Sequence, residues 1–260
     1  MPFPLCKNIY SFRNAKREWQ KIPLDDIGYF DSAELLKLSD AAFTNLLNRA
    51  SENRYNLNGY RNYNNLWRQF SKNNQVSGKV VFDFGTGSGI EALEFAKNGN
   101  HLIIGDINRY NLQVATRLLN LNNFTPLEIV NIKSRYPFCK LKNKIDIFYS
   151  NGVLHHTPKI RQILRRVKKL LRDNNGEAIL MLYSDIGYKK YINKNLPDIK
   201  ESIRRSPHFK KMYKHFDSVG KYADWFSEEK IRSVVADDWK VKSFNYCTDD
   251  NRFAFVNLTP

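Results

Sequence analysis

The stretch GKVVFDFGTGSG, residues 78–89, decides the fold of this chain. Residues 80–84 have the length and composition of a buried strand. The strand is followed by a glycine-rich run over 85–89, and from Ile90 onward the apolar residues recur with helical spacing. A strand, a glycine loop and a helix in this order form the βα turn at which open α/β sheets bind nucleotide-like ligands. The glycines permit the tight turn and let backbone N–H groups approach a ligand closely.

The spacing of these glycines distinguishes between ligands. A dinucleotide fingerprint, G-x-G-x-x-G, would place its third glycine at position 90, which is Ile90, whereas the third glycine here is Gly89. A carboxylate, Asp83, also lies two residues before the first glycine. An acid at this point suits a ligand that carries positive charge, and it repels a pyrophosphate.

Asp83, Gly85, Gly87 and Gly89 match the pattern D-x-G-x-G-x-G without a gap. This pattern resembles that of class I S-adenosylmethionine (SAM) methyltransferases. The resemblance implies that SAM is the cofactor, that S-adenosylhomocysteine (SAH) is the product, and that the acid lies near the methionine end of SAM. A glycine-rich turn that binds nothing is the alternative.

A second acid follows the next predicted strand. Residues 101–105 form this strand, and Asp106 ends it, 17 residues beyond Gly89. The spacing is close to that of an acid that accepts hydrogen bonds from ribose hydroxyls, and one carboxylate can accept two such donors. Asp106 is also a candidate N-cap for the helix predicted over 107–121, and the two roles are compatible.

The third predicted strand, residues 127–132, departs from the family pattern. Many SAM methyltransferases carry an acid just after this strand that binds the adenine amino group, whereas this chain has Asn131, Ile132 and Lys133. Adenine recognition must therefore use Asn131, backbone groups or apolar contact. The residues predicted to bind the cofactor are Asp83, Phe84, Gly85, Thr86, Gly87, Gly89, Asp106, Ile107, Asn131, Ile132 and Asn151.

The fourth predicted strand, residues 145–150, runs into Asn151, which we expect beside the transferred methyl group. His155 and His156 follow and are the candidate general bases, since imidazole titrates near neutral pH. A base is needed only if the acceptor atom keeps its proton. The alternative is that one or both histidines are structural and either cap the next helix, predicted over 159–171, or pack beneath the sheet.

Residues 78–184 as a whole resemble the broad methyltransferase group that includes the ubiquinone-biosynthesis type. The resemblance implies a Rossmann-like α/β fold with seven strands in the order 3-2-1-4-5-7-6 and the last strand antiparallel. It is specific for SAM binding but says little about the acceptor, because this core serves many acceptors.

The chain is predicted to divide into an N-terminal helical cap, residues 1–75, and a SAM-binding methyltransferase domain, residues 76–260. A helix is expected over 33–50 with Ser32 as its N-cap. Residues 185–226 form an insertion after the fifth strand, rich in basic and aromatic residues, and by family analogy they are a substrate lid.

Composition excludes several classes of protein. The 260 residues are 42% hydrophobic, and no apolar run approaches the roughly 20 residues of a membrane span. The first residues contain no apolar core of signal-peptide length. Cys6, Cys139 and Cys247 are far apart and form no C-x-x-C motif, so we expect neither a disulfide framework nor a metal site, and a cytoplasmic location.

The net charge of +16 is concentrated in residues 131–221, which hold 22 Lys and Arg against 7 Asp and Glu. Such a region favours an anionic partner: nucleic acid, a phosphorylated substrate or an acidic carrier protein. The alternative is compositional bias, because the chain is also rich in Asn, Ile and Tyr. The oligomeric state is left open.

Three functions remain in view: methyl transfer to O, N or C of a small metabolite, modification of RNA, and a non-catalytic SAM-binding role. Enzymes that methylate exocyclic nitrogens of bases often carry [DNS]-P-P-[YFW] after the fourth strand, whereas residues 150–153 are SNGV. Neither Cys139 nor Cys247 lies where pyrimidine C5 methylation needs its nucleophile. The small-molecule acceptor is therefore the leading hypothesis.

Overall fold

A seven-stranded sheet organises the fold. The computed structural model describes residues 12–24, 27–57, 63–133, 138, 141–142, 144–172, 175–195, 223–248 and 250–260. A small hairpin comes first, and the strands of the large sheet follow it. The hairpin strands are β1 (Lys21–Pro23) and β2 (Tyr29–Asp31); the sheet strands are β3 (Val80–Phe84), β4 (His101–Asp106), β5 (Glu128–Asn131), β6 (Ile147–Asn151), β7 (Glu177–Tyr183), β8 (Lys240–Tyr246) and β9 (Phe253–Thr259).

The strand order is β5-β4-β3-β6-β7-β9-β8, which is the predicted order 3-2-1-4-5-7-6. Strands β5, β4, β3, β6 and β7 pair in parallel, while β9 is antiparallel to both β7 and β8. The Rossmann-like α/β fold and the antiparallel last strand are thus confirmed. In this topology the carboxyl ends of β3, β4 and β6 meet at one edge of the sheet, where open α/β folds bind ligands.

Helices cover the sheet on both faces. They are α1 (Phe12–Glu18), α2 (Ser32–Leu35), α3 (Asp40–Tyr55), α4 (Leu66–Ser71), α5 (Ile90–Lys97), α6 (Arg109–Leu121), α7 (Ile160–Lys168), α8 (Asp185–Asn195) and α9 (Glu228–Val235). Successive strand side chains point to opposite faces, so β3 sends Val81 into one apolar core and Phe82 into the other. The first core includes α3, α4, α5 and α6, and the second includes α7 and α9.

The N-terminal part of the chain packs as two helices where one was predicted. Ser32 is not the N-cap: Asp31 caps α2 by accepting from the Ala33 N–H over 2.8 Å, and Ser39 caps α3. The Ser32 hydroxyl instead donates to the Gln20 carbonyl over 2.7 Å. Side chains from this region, such as Phe43 in α3, are fully buried against α5 and α6, so the region shares the first core.

The C-terminal elements follow the predicted pattern. Ser227 caps α9 by accepting from the Lys230 N–H, and β8 and β9 form the expected hairpin. Of the basic insertion, α8 and residues 223–226 are described, while the helix expected near 200–215 lies outside the described residues. No helix in the described part of the chain combines the length and the apolar character that crossing a membrane requires.

Candidate active site

A cleft opens at the carboxyl edge of the sheet, between the ends of β3, β4 and β6 and the N-terminal segment that contains α1 and β1. Its floor includes the glycine loop after β3, and its roof includes Ala15, Trp19, Ile22 and Pro23. Most of the predicted cofactor residues line it: Asp83, Phe84, Gly85, Thr86, Gly87, Asp106, Ile107, Ile132 and Asn151. Ser88, which the sequence did not single out, lines it as well.

Gly85 brings two loops together. Its φ is +85°, and a Cβ built on it would lie 2.3 Å from a methyl group of Val153, in the segment after β6. A side chain at this position would push the two loops apart, so only glycine fits. The Gly85 and Thr86 N–H groups donate to the Gly105 carbonyl over 2.7 and 3.0 Å, which ties the loop to β4.

Gly89 has a different task from the other loop glycines. It does not line the cleft. Its φ is +84°, and a Cβ there would lie 2.8 Å from Ala115 Cα. The third glycine therefore lets α5 pack closely against α6, and its effect on any ligand is indirect.

The carboxyl group of Asp83 is buried and only partly satisfied. The residue is 2% exposed, and its Oδ2 has no hydrogen-bond partner among the described residues. Burial raises the pKa of Asp83 to about 7. The Thr86 hydroxyl beside it is also buried and forms no hydrogen bond of normal geometry in the described part of the chain, although its interaction with the Asp83 carboxyl group opposes the rise in pKa. Two unsatisfied polar groups in a cleft indicate a place where a ligand completes the hydrogen bonding.

Asp106 is held more firmly than Asp83. It accepts hydrogen bonds from the Asn108 N–H over 2.8 Å, the Asn111 side chain over 3.1 Å and the Gly87 N–H over 3.2 Å. Burial nevertheless raises the pKa of Asp106 to about 6. Asn108, and not Asp106, is the N-cap of α6. The three hydrogen bonds thus fix the orientation of the Asp106 carboxylate at the end of β4.

Asn108, the N-cap of α6, and Asn111, in the first turn of that helix, bind the N-terminal segment that forms the roof of the cleft. Asn108 donates to the Lys16 carbonyl over 3.0 Å, and Asn111 donates to the Trp19 carbonyl over 2.9 Å. Sequence reasoning missed Asn111, whose one signal was its position on the first turn of the helix that follows Asp106. Through these bonds the acid at the end of β4 and the N-terminal segment share one network.

The bottom of the cleft contains a buried ion pair. Glu91 accepts from Arg54 over 3.2 Å and from the Trp67 indole over 3.0 Å, and its other oxygen accepts from Asn73 over 2.7 Å. Glu91 is 5% exposed and Arg54 is 7% exposed, and both line the cleft. The pair joins α3 to α5. Nothing in the sequence marked either residue, because they are 37 positions apart.

A chain of hydrogen bonds links this ion pair to the end of β6. The Tyr149 hydroxyl donates to Glu91 over 3.1 Å, and the Asn151 amide nitrogen donates to the Tyr149 hydroxyl over 3.1 Å. Burial and the nearby Glu91 charge raise the pKa of Tyr149 well above its ordinary value, so the phenol keeps its proton. The direction of each bond follows, because a carboxylate only accepts.

The two candidate bases lie in different environments. His155 is fully buried, does not line the cleft and stacks on Tyr183 with 3.7 Å between ring centroids. Burial and the neighbouring His156 hold the pKa of His155 well below its usual value, which favours a neutral, structural imidazole. His156 lines the cleft, 4.7 Å from the Trp19 ring. Of the two, only His156 is placed to meet a ligand.

The side of the cleft near β5 is apolar. Ile107 and Ile132 line it, and the Ile132 N–H donates to the Asp106 carbonyl over 2.8 Å. Asn131 is exposed and does not line the cleft. Of the three kinds of adenine contact predicted above, apolar and backbone contacts are available at this side of the cleft, and a contact with the Asn131 side chain is not.

Positive charge is sparse in the cleft. Within the described residues, Arg54 is the one Lys or Arg side chain that lines it, against the carboxyl groups of Asp83, Glu91 and Asp106. The basic face of α7 pairs elsewhere: Arg161 with Asp237, and Arg165 with Asp238 over 2.7 Å. Among the residues that the structure describes, no cluster of three or more His, Cys, Asp or Glu could hold a metal ion.

Comparison with known proteins agrees with this geometry. Residues 82–176 match the family model described as a methyltransferase domain. No curated protein sequence matches the chain.

Solved structures share the fold at low sequence identity. A putative methyltransferase from Bacillus halodurans is 14% identical, with a TM-score of 0.55 over 75% of this chain and 98% of the other. The magnesium protoporphyrin IX methyltransferase from Synechocystis, solved with bound SAM, is 13% identical, with a TM-score of 0.55 over 96% and 97% of the two chains. A SAM-dependent methyltransferase from Aquifex aeolicus is 15% identical, with a TM-score of 0.51 over 88% and 98%.

Proposed function

We propose that this chain is a class I SAM-dependent methyltransferase and that it transfers the methyl group of SAM to a small-molecule acceptor bound in the cleft described above. One observation carries the proposal: a carboxyl oxygen of Asp83 that has no hydrogen-bond partner among the described residues lies in the same cleft as the fixed carboxylate of Asp106. The ubiquinone-type subgroup is not part of the proposal.

The residues present fit SAM. Asp83 and Thr86 have buried oxygens that lack partners among the described residues, and the positively charged amino or sulfonium group of SAM would satisfy them, directly or through water. Asp106 would accept from the ribose hydroxyls. Arg54, beside Glu91, is the candidate partner of the methionine carboxylate. Ile107 and Ile132 offer apolar contact to the adenine.

The residues of the chain would align the acceptor with the methyl group of SAM and exclude water. Bound SAM supplies an activated methyl group: the acceptor lone pair forms the new bond to the methyl carbon while the C–S bonding pair stays on sulfur, which leaves neutral SAH. Asn151 lies at the end of β6, where it would orient the acceptor. His156 would take the proton of an acceptor that still carries one. Trp19 and its neighbours in the roof would keep water out.

Charge placement favours a small molecule over RNA. The cleft holds three carboxyl groups and one guanidinium among its described residues, which repels phosphates. Two cations of α7, Arg161 and Arg165, are paired with Asp237 and Asp238, which partly neutralises the basic face of this helix. We propose that residues 1–75 act as the cap of the cleft and that residues 185–226 act as its lid. The RNA and non-catalytic hypotheses remain the alternatives.

Calorimetric titration of SAM and SAH into the wild type, Asp106→Ala and Asp237→Ala tests the proposal. We expect micromolar binding by the wild type and by Asp237→Ala, whose carboxylate lies away from the cleft. Asp106→Ala should bind at least tenfold more weakly, which is about 1.4 kcal/mol. Absence of binding by the wild type, or equal binding by both variants, would contradict it.

A gel-shift assay with a transfer RNA transcript separates the leading hypothesis from RNA modification. We expect no saturable complex at 150 mM salt. Tight binding that falls steeply as salt rises would instead favour an RNA substrate, because phosphate contacts release counterions. Formation of SAH with any acceptor would exclude the non-catalytic alternative.

A further inference from the structure

Four rings form a continuous surface inside the cleft. Trp19, His156, Tyr183 and Phe253 all line it, and we call this set the ring wall. Successive ring centroids are 4.7 Å apart for Trp19 and His156, 5.3 Å for His156 and Tyr183, and 5.8 Å for Tyr183 and Phe253. Such spacing is typical of aromatic contacts. Tyr183 and Phe253 are only 2% and 5% exposed, so each offers a small part of its surface to a ligand, and Trp19 offers more.

The ring wall is assembled at the same edge of the sheet as the cofactor residues. Tyr183 ends β7, and Phe253 begins the antiparallel β9 opposite it in register. His156 follows β6, and Trp19 follows α1 in the roof. Apolar side chains of Ile22, Pro23 and Met181 also line the cleft. None of the seven is Lys, Arg, Asp or Glu, so the surface offers mainly stacking and apolar contact, with the His156 imidazole as a polar group.

The charges elsewhere in the cleft favour a neutral ligand on this wall. Three carboxyl groups against one guanidinium among the described lining residues repel an anion. The sulfonium of SAM, once bound in the orientation proposed above, would repel a second cation beside it. An uncharged acceptor avoids both costs.

Asn151 contributes a polar group to this space, and one of its hydrogen bonds is fixed within the protein. One N–H of its amide donates to the Tyr149 hydroxyl, whose own proton is donated to Glu91. Its Oδ1 accepts no hydrogen bond from another described residue, and Asn151 lines the cleft. This carbonyl oxygen is therefore open to a hydrogen-bond donor on a ligand.

We propose that the methyl acceptor is an uncharged aromatic or heteroaromatic molecule that carries an N–H or O–H group, with its ring on the ring wall and its donor on Asn151 Oδ1. The inference rests on the function proposed above and narrows its substrate class. The heteroatom of the donor group is the atom methylated: its lone pair bonds the methyl carbon, the C–S pair stays on sulfur, and its proton passes to water or, through water, to His156, which lines the same cleft.

The test uses the full chain saturated with SAH and four matched probes measured by calorimetry. The probes are 2-naphthol, 2-methoxynaphthalene, which has no donor, decahydro-2-naphthol, which is not aromatic, and 2-naphthyl phosphate, which is anionic. We expect 2-naphthol to bind at least tenfold more tightly than the decahydro and phosphate probes, and about fivefold more tightly than the methoxy probe.

Variants of Trp19 and Asn151 test whether these residues bind 2-naphthol. Trp19→Leu should weaken 2-naphthol binding at least fivefold, and by more than it weakens SAH binding, and Trp19→Phe should recover most of the loss. Asn151→Ala should abolish the preference for 2-naphthol over 2-methoxynaphthalene. Tyr29→Leu, an exposed aromatic that does not line the cleft, is the matched control and should change nothing.

The possible outcomes distinguish a wrong acceptor class from a wrong methyltransferase proposal. If SAH binds but the phosphate or the decahydro probe binds as tightly as 2-naphthol, the acceptor class is wrong and the methyltransferase proposal stands. If SAH itself fails to bind, both are overturned. If Trp19→Leu is unchanged towards 2-naphthol, the ring wall is not the acceptor surface.

Discussion

Asn111 donates a hydrogen bond to the carboxylate of Asp106 across 3.1 Å, and the same amide nitrogen donates to the Trp19 carbonyl. The acid expected to bind ribose is therefore oriented by a side chain that also holds the roof of the cleft. We expect Asn111→Ala to weaken SAH binding about tenfold, the size of one charge-assisted hydrogen bond. Calorimetric titration measures this.

The matched control for Asn111→Ala is Asn122→Ala. Asn122 follows the far end of α6 and donates to the Leu118 carbonyl. It should lose a little stability and no affinity for SAH. Equal affinity in Asn111→Ala and the wild type would show that Asp106 needs no support from α6.

The raised pKa of Asp83 predicts a pH dependence of cofactor binding. With a pKa of about 7 in the free protein, Asp83 is mostly charged at pH 8 and mostly protonated at pH 6. Only the carboxylate attracts the positive groups of SAM, so the Kd for SAM should rise about tenfold as the pH falls from 8 to 6. Calorimetry at intervals of half a pH unit measures it.

Asp83→Asn provides the control for the pH effect, since its side chain does not titrate. Its SAM affinity should be low throughout and vary less between pH 6 and 8. A wild-type Kd for SAM that is the same at pH 6 and pH 8 would show that Asp83 is not the group that attracts the positive charge of SAM.

The same pKa predicts that Asp83 lowers stability at neutral pH. The folded protein holds the Asp83 proton more tightly than the unfolded chain, so this residue's contribution to the free energy of unfolding is full below about pH 4 and falls until about pH 7. The loss is at most about 4 kcal/mol, since each pKa unit corresponds to about 1.36 kcal/mol. Asp83→Asn should therefore have a higher urea midpoint than the ligand-free wild type at pH 8, and a smaller advantage at pH 5. A lower midpoint at pH 8 would contradict this.

The coupling between the charges of Arg54 and Glu91 should contribute strongly to the free energy of unfolding. Glu91→Gln leaves the buried guanidinium without its counter-charge, and Arg54→Met leaves the carboxylate, so each single variant should lose about 3 kcal/mol. The double variant buries no unmatched charge and should lose less than the sum of the two. A double-mutant cycle in urea measures the coupling.

An exposed ion pair gives the comparison for this cycle. Arg232 and Glu228 are both about half exposed on α9. Their cycle should give a coupling below about 1 kcal/mol, because solvent screens such pairs. Similar coupling energies for the two pairs would show that burial does not strengthen the interaction between Arg54 and Glu91.

The contact between Gly85 and Val153 predicts a specific rescue. Gly85→Ala places a methyl group in the space that Val153 fills and should reduce both stability and SAH binding. Val153→Ala should recover part of the loss by clearing the contact, while the strain of the positive φ remains. Gly99→Ala, also at positive φ but with no atom closer than 4.0 Å, is the control and should retain SAH binding. Failure of Val153→Ala to improve Gly85→Ala would show that backbone strain alone accounts for the loss.

Much of the fold could be predicted from the sequence. The strand order follows from the family resemblance and is confirmed by the structure. The errors lie where two local signals compete: Ser32 and Asp31 are both good N-caps, and only the packing of the Ser32 hydroxyl against Gln20 and Asn111 decides between them. A helix predicted over 33–50 is likewise two helices, because Ser39 begins a new one.

The sequence by itself determined the part of the site that lies within one βαβ unit. Asp83, the glycine loop and Asp106 are separated by at most 23 residues, and a strand, a turn and a crossover helix place them at one edge of any such sheet. Tertiary structure alone decided the rest. Trp19, Arg54, Tyr183 and Phe253 meet in the cleft from distant parts of the chain, and His156 faces it while His155 does not. Hydrogen bonds and ring contacts depend on distances of a few ångströms, and only the packing of the elements sets those distances.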